Sequence, residues 1–188
     1  MRRYLFFILV CACALAAALG ASGQSEPPPE HTRTTTTEER EEPPDYVERQ
    51  VGRIIARYRR KVWHWQRVMG HPVTRKLRHP PANPADRVPV WRRIAKRTWR
   101  RAQHPPHAPA WRCIQRFEAG WTDAGAPYYG GLQMDLGFQR RYGAYLLRRK
   151  GTANRWTPLE QMWVGERALR AGRGFYPWPN TARACGLI

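Results

Sequence analysis

Two cysteines, Cys113 and Cys185, flank nearly the whole C-terminal part of this 188-residue chain. The other two, Cys11 and Cys13, lie in an apolar N-terminal run and would leave with it. An even pair in an oxidising compartment reads as a bridge, and the alternative is two free buried thiols. A bridge would close a loop of about 70 residues and contribute roughly 4–5 kcal/mol on the chain-entropy model. A region of roughly 80 residues builds only a thin core, so a covalent staple is what such a fold needs.

The compartment is read from the first 21 residues. Arg2 and Arg3 make a positive start, Tyr4 to Leu19 an apolar run, and Ala18, Gly20 and Ala21 suit signal peptidase. The run has the length of a signal sequence and is short for a spanning helix. Two alternatives stand beside cleavage. One is an uncleaved N-terminal anchor; the other, weaker, is lipid attachment at Cys13, for which Val10-Cys11-Ala12 is a poor signal. The expectation is a secreted or cell-wall-associated protein. Residues 22–45 follow, poor in apolar side chains and carrying Pro27-Pro28-Pro29, a Thr34 to Thr37 run and acids from Glu38 to Glu42. Such a composition cannot bury a core and reads as a disordered spacer.

Charge is distributed unevenly. Residues 1–50 hold five of the 33 basic and eight of the 14 acidic residues, leaving 28 basic against six acidic in 51–188. A field of that sign selects polyanionic partners. Outside the cell these are anionic cell-wall polymers or a membrane surface, and no nucleic acid is expected.

Within residues 46–106 the spacing predicts two basic helices. Val47, Val51, Ile54, Tyr58, Val62, Trp65 and Met69 recur at intervals of three and four, and Gly70 and Pro72 stop the stripe. The second, Val90 to Gln103, carries Trp91, Ile94, Ala95, Thr98 and Trp99 among six Arg or Lys residues. Two readings compete: a module adhering to anionic polymer or membrane, and a hairpin packing its tryptophans on itself or on the C-terminal domain.

Residues 107–188 read as a mainly helical α+β domain. Helices are expected over about 108–118, 136–149 and from Thr157 to Gly172, around a turn-rich segment at 121–135. Thr157-Pro158-Leu159-Glu160 is the clearest start signal, with an N-cap Thr, Pro at N1 and Glu at N3. Glu166 shares a face with Leu159, Met162 and Trp163; it is expected to be buried and paired with an Arg or a backbone group. Trp156 and Trp178 read as packing residues.

Glu118 is the candidate for chemistry. In a helix it follows Trp111 and Ile114 on one apolar stripe. Poor solvation is the condition under which a carboxyl keeps a proton to donate at neutral pH. Asp123 and Asp135 are candidates for a second carboxylate, and Asp135 alternatively caps the next helix. Trp121, Tyr128 and Tyr129 can stack on sugar faces or pack in the core. Gln133 can bond a sugar or its own loop. No metal or cofactor is expected: the histidines at 64, 71, 79, 104 and 107 lack ligand spacing, and no phosphate-cradling glycine loop stands out.

The segment Cys113 to Gly186 resembles the resuscitation-promoting-factor type of transglycosylase-like domain, a small lysozyme-like fold. The resemblance is carried by Cys113 and Glu118 ahead of Gly120, by Tyr128-Tyr129-Gly130-Gly131-Leu132-Gln133, and by Thr157, Glu160 and Gln161. Gly165-Glu166-Arg167-Ala168-Leu169 and Trp178-Pro179 before Cys185 complete it. The chain departs from the family in placing Phe117 directly before the acid, where a cysteine is usual. The resemblance implies that Glu118 is the catalytic acid and that Gln133 and nearby aromatics line a glycan cleft. It further implies that Cys113 and Cys185 are bonded and that the substrate is the glycan strand of peptidoglycan. The alternative function is a non-catalytic cationic protein that grips cell wall or membrane, or one that disrupts membranes.

Overall fold

The computed structural model describes residues 44–188; the expected signal sequence and nearly all of the expected spacer lie outside the described residues. The fold is mainly helical α+β, with seven α-helices and one two-stranded antiparallel sheet among the described residues.

Helices α1 (Pro44–Met69) and α2 (Arg87–Ala102) come from the two basic stripes. The end of α1 is set by Gly70, whose φ of 73° is open to glycine at little cost. The Gly70 amide bonds to Arg67 O and the His71 amide to Gln66 O, the paired bonds of a Schellman turn. The two helices pack along each other and then onto the rest of the chain. Trp163 Nε1 donates to Ala102 O at the end of α2, 2.7 Å away. Arg170 Nη2 donates to Met69 O at the end of α1. Val68, Met69 and Ala102 belong to the same buried cluster as Trp111, Leu132, Trp163 and Trp178. Packing on the C-terminal region is therefore part of this hairpin's structure, with most of its arginines left facing solvent. The α1 stripe is not wholly covered: Val47 and Ile54 are exposed among the described residues.

Helix α3 (Ala108–Glu118) starts with Pro109 in its first turn and lays Trp111 and Ile114 into the core. Strands β1 (Tyr128–Tyr129) and β2 (Met134–Asp135) pair Tyr128 with Asp135 and Tyr129 with Met134.

The single helix expected over 136–149 is two helices, α4 (Leu136–Tyr142) and α5 (Ala144–Lys150), broken at Gly143. The cause is tertiary. A Cβ at Gly143 would sit 2.5 Å from Trp156 Cη2, so the chain turns around the buried indole. Trp156 in turn donates from Nε1 to Gly151 O at 2.8 Å.

Helix α6 (Pro158–Ala168) begins with the expected capping box: Thr157 accepts from the Glu160 amide, and Glu160 accepts from the Thr157 amide. Every residue from Glu160 to Glu166 is buried, which makes α6 the central helix. Gly165 lets α3 approach, since a Cβ there would press on the Trp111 ring at 3.0 Å. A π-turn spans Leu169–Arg173, its helical backbone interrupted at Gly172 (φ 82°), and a short helix α7 (Pro179–Ala184), not foreseen from the sequence, follows Trp178. Cys113 and Cys185 form a disulfide, Cα to Cα 6.0 Å, tying α3 to the end of α7. Among the described residues no helix is long and apolar enough to cross a membrane.

Candidate functional site

Glu118 closes α3. The next residue, Ala119, is extended, and Gln115 Nε2 satisfies its carbonyl at 2.8 Å. Trp111 and Ile114 on the same stripe are fully buried, whereas Glu118 is half-buried. Its Oε1 accepts from Thr181 Oγ1 of α7 at 2.8 Å. Its Oε2 has no bonding partner among the described residues and is not sealed from solvent.

The loop 120–135 is braced from within. The Gly130 amide bonds to Asp123 O and the Gln133 amide to Gly130 O. Gln133 Nε2 donates to Asp123 Oδ2 at 2.8 Å and to Gly130 O at 2.9 Å. Gln133 holds a φ of 44°, the left-handed region that side chains other than glycine seldom occupy. Strain of this kind persists only where surrounding bonds impose it, and it concentrates at functional loops.

The two glycines of this loop are required by what lies beneath them. A Cβ at Gly130 would fall 2.5 Å from Gln161 Oε1, and one at Gly131 would fall 2.8 Å from Gln115 Cγ and Trp121 Cε3. The loop therefore abuts α3 at Gln115, one helical turn before Glu118. Gln161, fully buried, pins it: Oε1 accepts from the Gly131 amide at 2.9 Å, and Nε2 donates to Trp121 O at 2.7 Å and Ala153 O at 3.0 Å. The sequence marked Gln161 only as a motif member; its place on the helix face beside the capping-box glutamate was the available signal.

A shallow groove of about 660 Å³ runs between α3 and the start of α6, walled by Arg112, Gln115, Arg116, Trp121, Leu159 and Met162 among others. Trp121 thus meets a cleft. Glu118, Tyr128, Tyr129 and Gln133 are not among its walls. Tyr128 is 50% exposed, Tyr129 packs partly against the core, and Gln133 is folded into its own loop. Asp135 is the N-cap of α4, accepting from the Phe138 amide at 2.7 Å. Asp123 is engaged by Gln133.

Two further carboxylates are buried in α6. Glu166 accepts from the His107 amide at 2.7 Å and from Trp111 Nε1 at 2.9 Å, with His107 Nδ1 3.1 Å from its Oε2. The backbone partner was anticipated; the indole was not. Glu160 accepts from Lys150 Nζ at 2.7 Å on both oxygens and lies 3.1 Å from His64 Nε2 of α1. Burial alone would lift the Glu160 carboxyl, but the His64, Lys150 and Thr157 bonds outweigh it and bring its pKa down to about 2.

Comparison with protein-family models, curated proteins and solved structures finds no match to the chain.

Proposed function

We propose that this chain is a secreted, cell-wall-associated glycosidase of the lysozyme-like, resuscitation-promoting-factor type. It would cut the β-1,4 bond between N-acetylmuramic acid and N-acetylglucosamine in peptidoglycan, with Glu118 as general acid and base. The observation that carries the reading is the bonding state of Glu118. Thr181 orients one oxygen and leaves the other unengaged, at the end of the helix that a strained glycine-rich loop meets one turn earlier, at Gln115. An acid oriented by a neighbour yet free at one oxygen can hand a proton to a leaving glycosidic oxygen. Asp123 and Asp135 each hold a structural bond. The reading therefore needs one protein carboxylate, with the substrate N-acetyl group assisting at the anomeric carbon. Glu118 then takes a proton either from water, giving hydrolysis, or from a sugar hydroxyl, giving a 1,6-anhydro product. Trp121 offers an aromatic wall for the strand. The cationic surface of residues 51–188 would hold the protein to anionic polymer or membrane.

A second reading is favoured by the separation of Glu118 from the walls of the α3–α6 groove. On it, the protein grips glycan without cutting. One experiment decides between the two. Glu118→Gln is expected to slow release of muropeptides from purified sacculi by about 10²–10⁴-fold, while the fold and wall binding persist. Digestion at the wild-type rate removes Glu118 from the chemistry, and no soluble product from the wild type supports the gripping reading. The mass of released ends, lighter by one water for an anhydro sugar, reports the reaction type.

A further inference from the structure

The hairpin carries a second groove, remote in sequence from Glu118. It holds about 430 Å³ between α1 and α2 and is lined by Tyr58, Trp65, Trp99, Lys61, Arg92 and Lys96, with Ala95. Trp65 and Trp99 meet at 5.1 Å between centroids, and Trp99 stays 40% exposed. Lys61, Arg92 and Lys96 are exposed, and none has a carboxylate within ion-pair distance among the described residues. Elsewhere on the molecule, guanidinium groups lie over aromatic rings: Arg59 over Trp63 and Trp91, Arg67 over Trp63 and Tyr145. Among the described residues no cation covers Trp65 or Trp99.

We propose that this groove binds an anionic glycan strand, its sugar faces against Trp65, Trp99 and Tyr58 and its acidic groups on Lys61, Arg92 and Lys96. Aromatic rings offer an apolar face to the C–H side of a pyranose, while exposed ammonium and guanidinium groups pair with carboxylates or phosphates. From Tyr58 to Trp65 the groove runs about 10 Å at 1.5 Å per residue, the reach of a short oligosaccharide. A bare polyanion would leave the aromatic floor without purpose. A membrane would need a broad apolar face projecting outward, whereas in this groove Tyr58 and Trp65 are half-buried, Trp99 alone of the rings is exposed, and three cations rim it. A second copy of the chain would present the same cationic face and repel. The inference rests on the reading of the hairpin as an adhesive surface and not on the chemistry of Glu118.

The test is calorimetric titration of the full chain with hexagalacturonate, with polyphosphate of matched charge and cellohexaose as controls. Arg92→Gln with Lys96→Gln removes two charges from the groove; Arg97→Gln with Arg101→Gln removes two from the opposite face of α2. The groove pair is expected to weaken hexagalacturonate by about tenfold or more, and the opposite pair by no more than about twofold. Trp99→Ala is expected to weaken hexagalacturonate about tenfold and to leave polyphosphate unchanged. Equal effects from both charge pairs would reduce the binding to net charge and overturn the proposal. Groove-dependent binding to phosphatidylglycerol vesicles without binding to hexagalacturonate would overturn it in favour of a membrane. Because the readout is binding, an inactive Glu118→Gln leaves the outcome untouched, and failure here leaves the glycosidase reading standing.

Discussion

Helix α3 is held on two sides by different means. Toward α6, Glu166 reaches across to the Trp111 indole and the His107 amide in a buried setting, and Gly165 brings the helices into contact. Toward α7, the contact is a disulfide plus one hydroxyl bond from Thr181 to Glu118. The two glutamates therefore do different work. Glu166 is consumed by structure, with both oxygens engaged or sealed. Glu118 keeps an oxygen in reserve. A carboxylate with unused bonding capacity is what chemistry can draw on, and in this acid-poor region Glu118 stands out by that criterion.

The largest expected effect lies on the α6 side. Glu166→Ala strands two donors and opens a cavity, so it is expected to destabilise by about 3–5 kcal/mol. Glu118→Ala removes one half-exposed bond and is expected to destabilise by about 1 kcal/mol or less. Urea denaturation of the two variants side by side measures the contrast. Equal losses would break the distinction between a structural and a spare carboxylate.

The α7 side is tested through its bridge. Replacing Cys113 and Cys185 with serine reopens a 72-residue separation and is expected to cost about 4 kcal/mol. The loss should fall on α7 first. Hydrogen exchange at 179–184 is then expected to rise before exchange in α6, because α6 is anchored independently through Glu160, Gln161 and Glu166. Simultaneous exposure of both helices would show that the two sides of α3 are one unit.

Glu160 sharpens the comparison with pH. Its folded-state pKa of about 2 lies below the ordinary value of 4.5, so the folded protein binds fewer protons than the unfolded chain. The stabilisation is complete above about pH 4.5 and drains away as pH falls through about 2, amounting to at most about 3 kcal/mol. Lys150→Met removes one of the partners that lowers the value, so acid unfolding is expected to begin at higher pH. An unchanged acid midpoint would mean that His64 and Thr157 suffice. The same pair, His64 on α1 and Glu160 on α6, joins the hairpin to the C-terminal region.

Much of this was legible in the chain because it is local. The bounds of α1 and α3, the start of α6 at the Thr157–Glu160 cap and the burial of Glu166, Trp156 and Trp178 all follow from patterns within a few residues, whereas the α-helical part of α6 stops at Ala168, short of the Gly172 the pattern suggests. What escaped is set by contacts distant in sequence. The break at Gly143 exists because the Trp156 ring fills the space beside it, although a glycine inside a helical pattern was a warning. Helix α7 is six residues long, too short for periodicity; Pro179 after Trp178 was its one mark. Gln161 joins Trp121, Gly131 and Ala153 across 40, 30 and 8 residues, which no pattern along the chain reveals. The docking of the hairpin on α6 hangs on Trp163 meeting the last carbonyl of α2 and was one of two even readings from composition.

The smallest effect concerns Asp135, where structure and chemistry make opposite demands on one side chain. As the N-cap of α4 it needs an oxygen to accept from the Phe138 amide, which asparagine also supplies. As a second carboxylate it would need its charge, which asparagine lacks. Asp135→Asn is therefore expected to change stability by only a few tenths of a kcal/mol and to leave muropeptide release near wild type, while Asp135→Ala costs about 1 kcal/mol. A steep fall in release for Asp135→Asn, with the melting curve unmoved, would move Asp135 out of the structural acids and place it with Glu118.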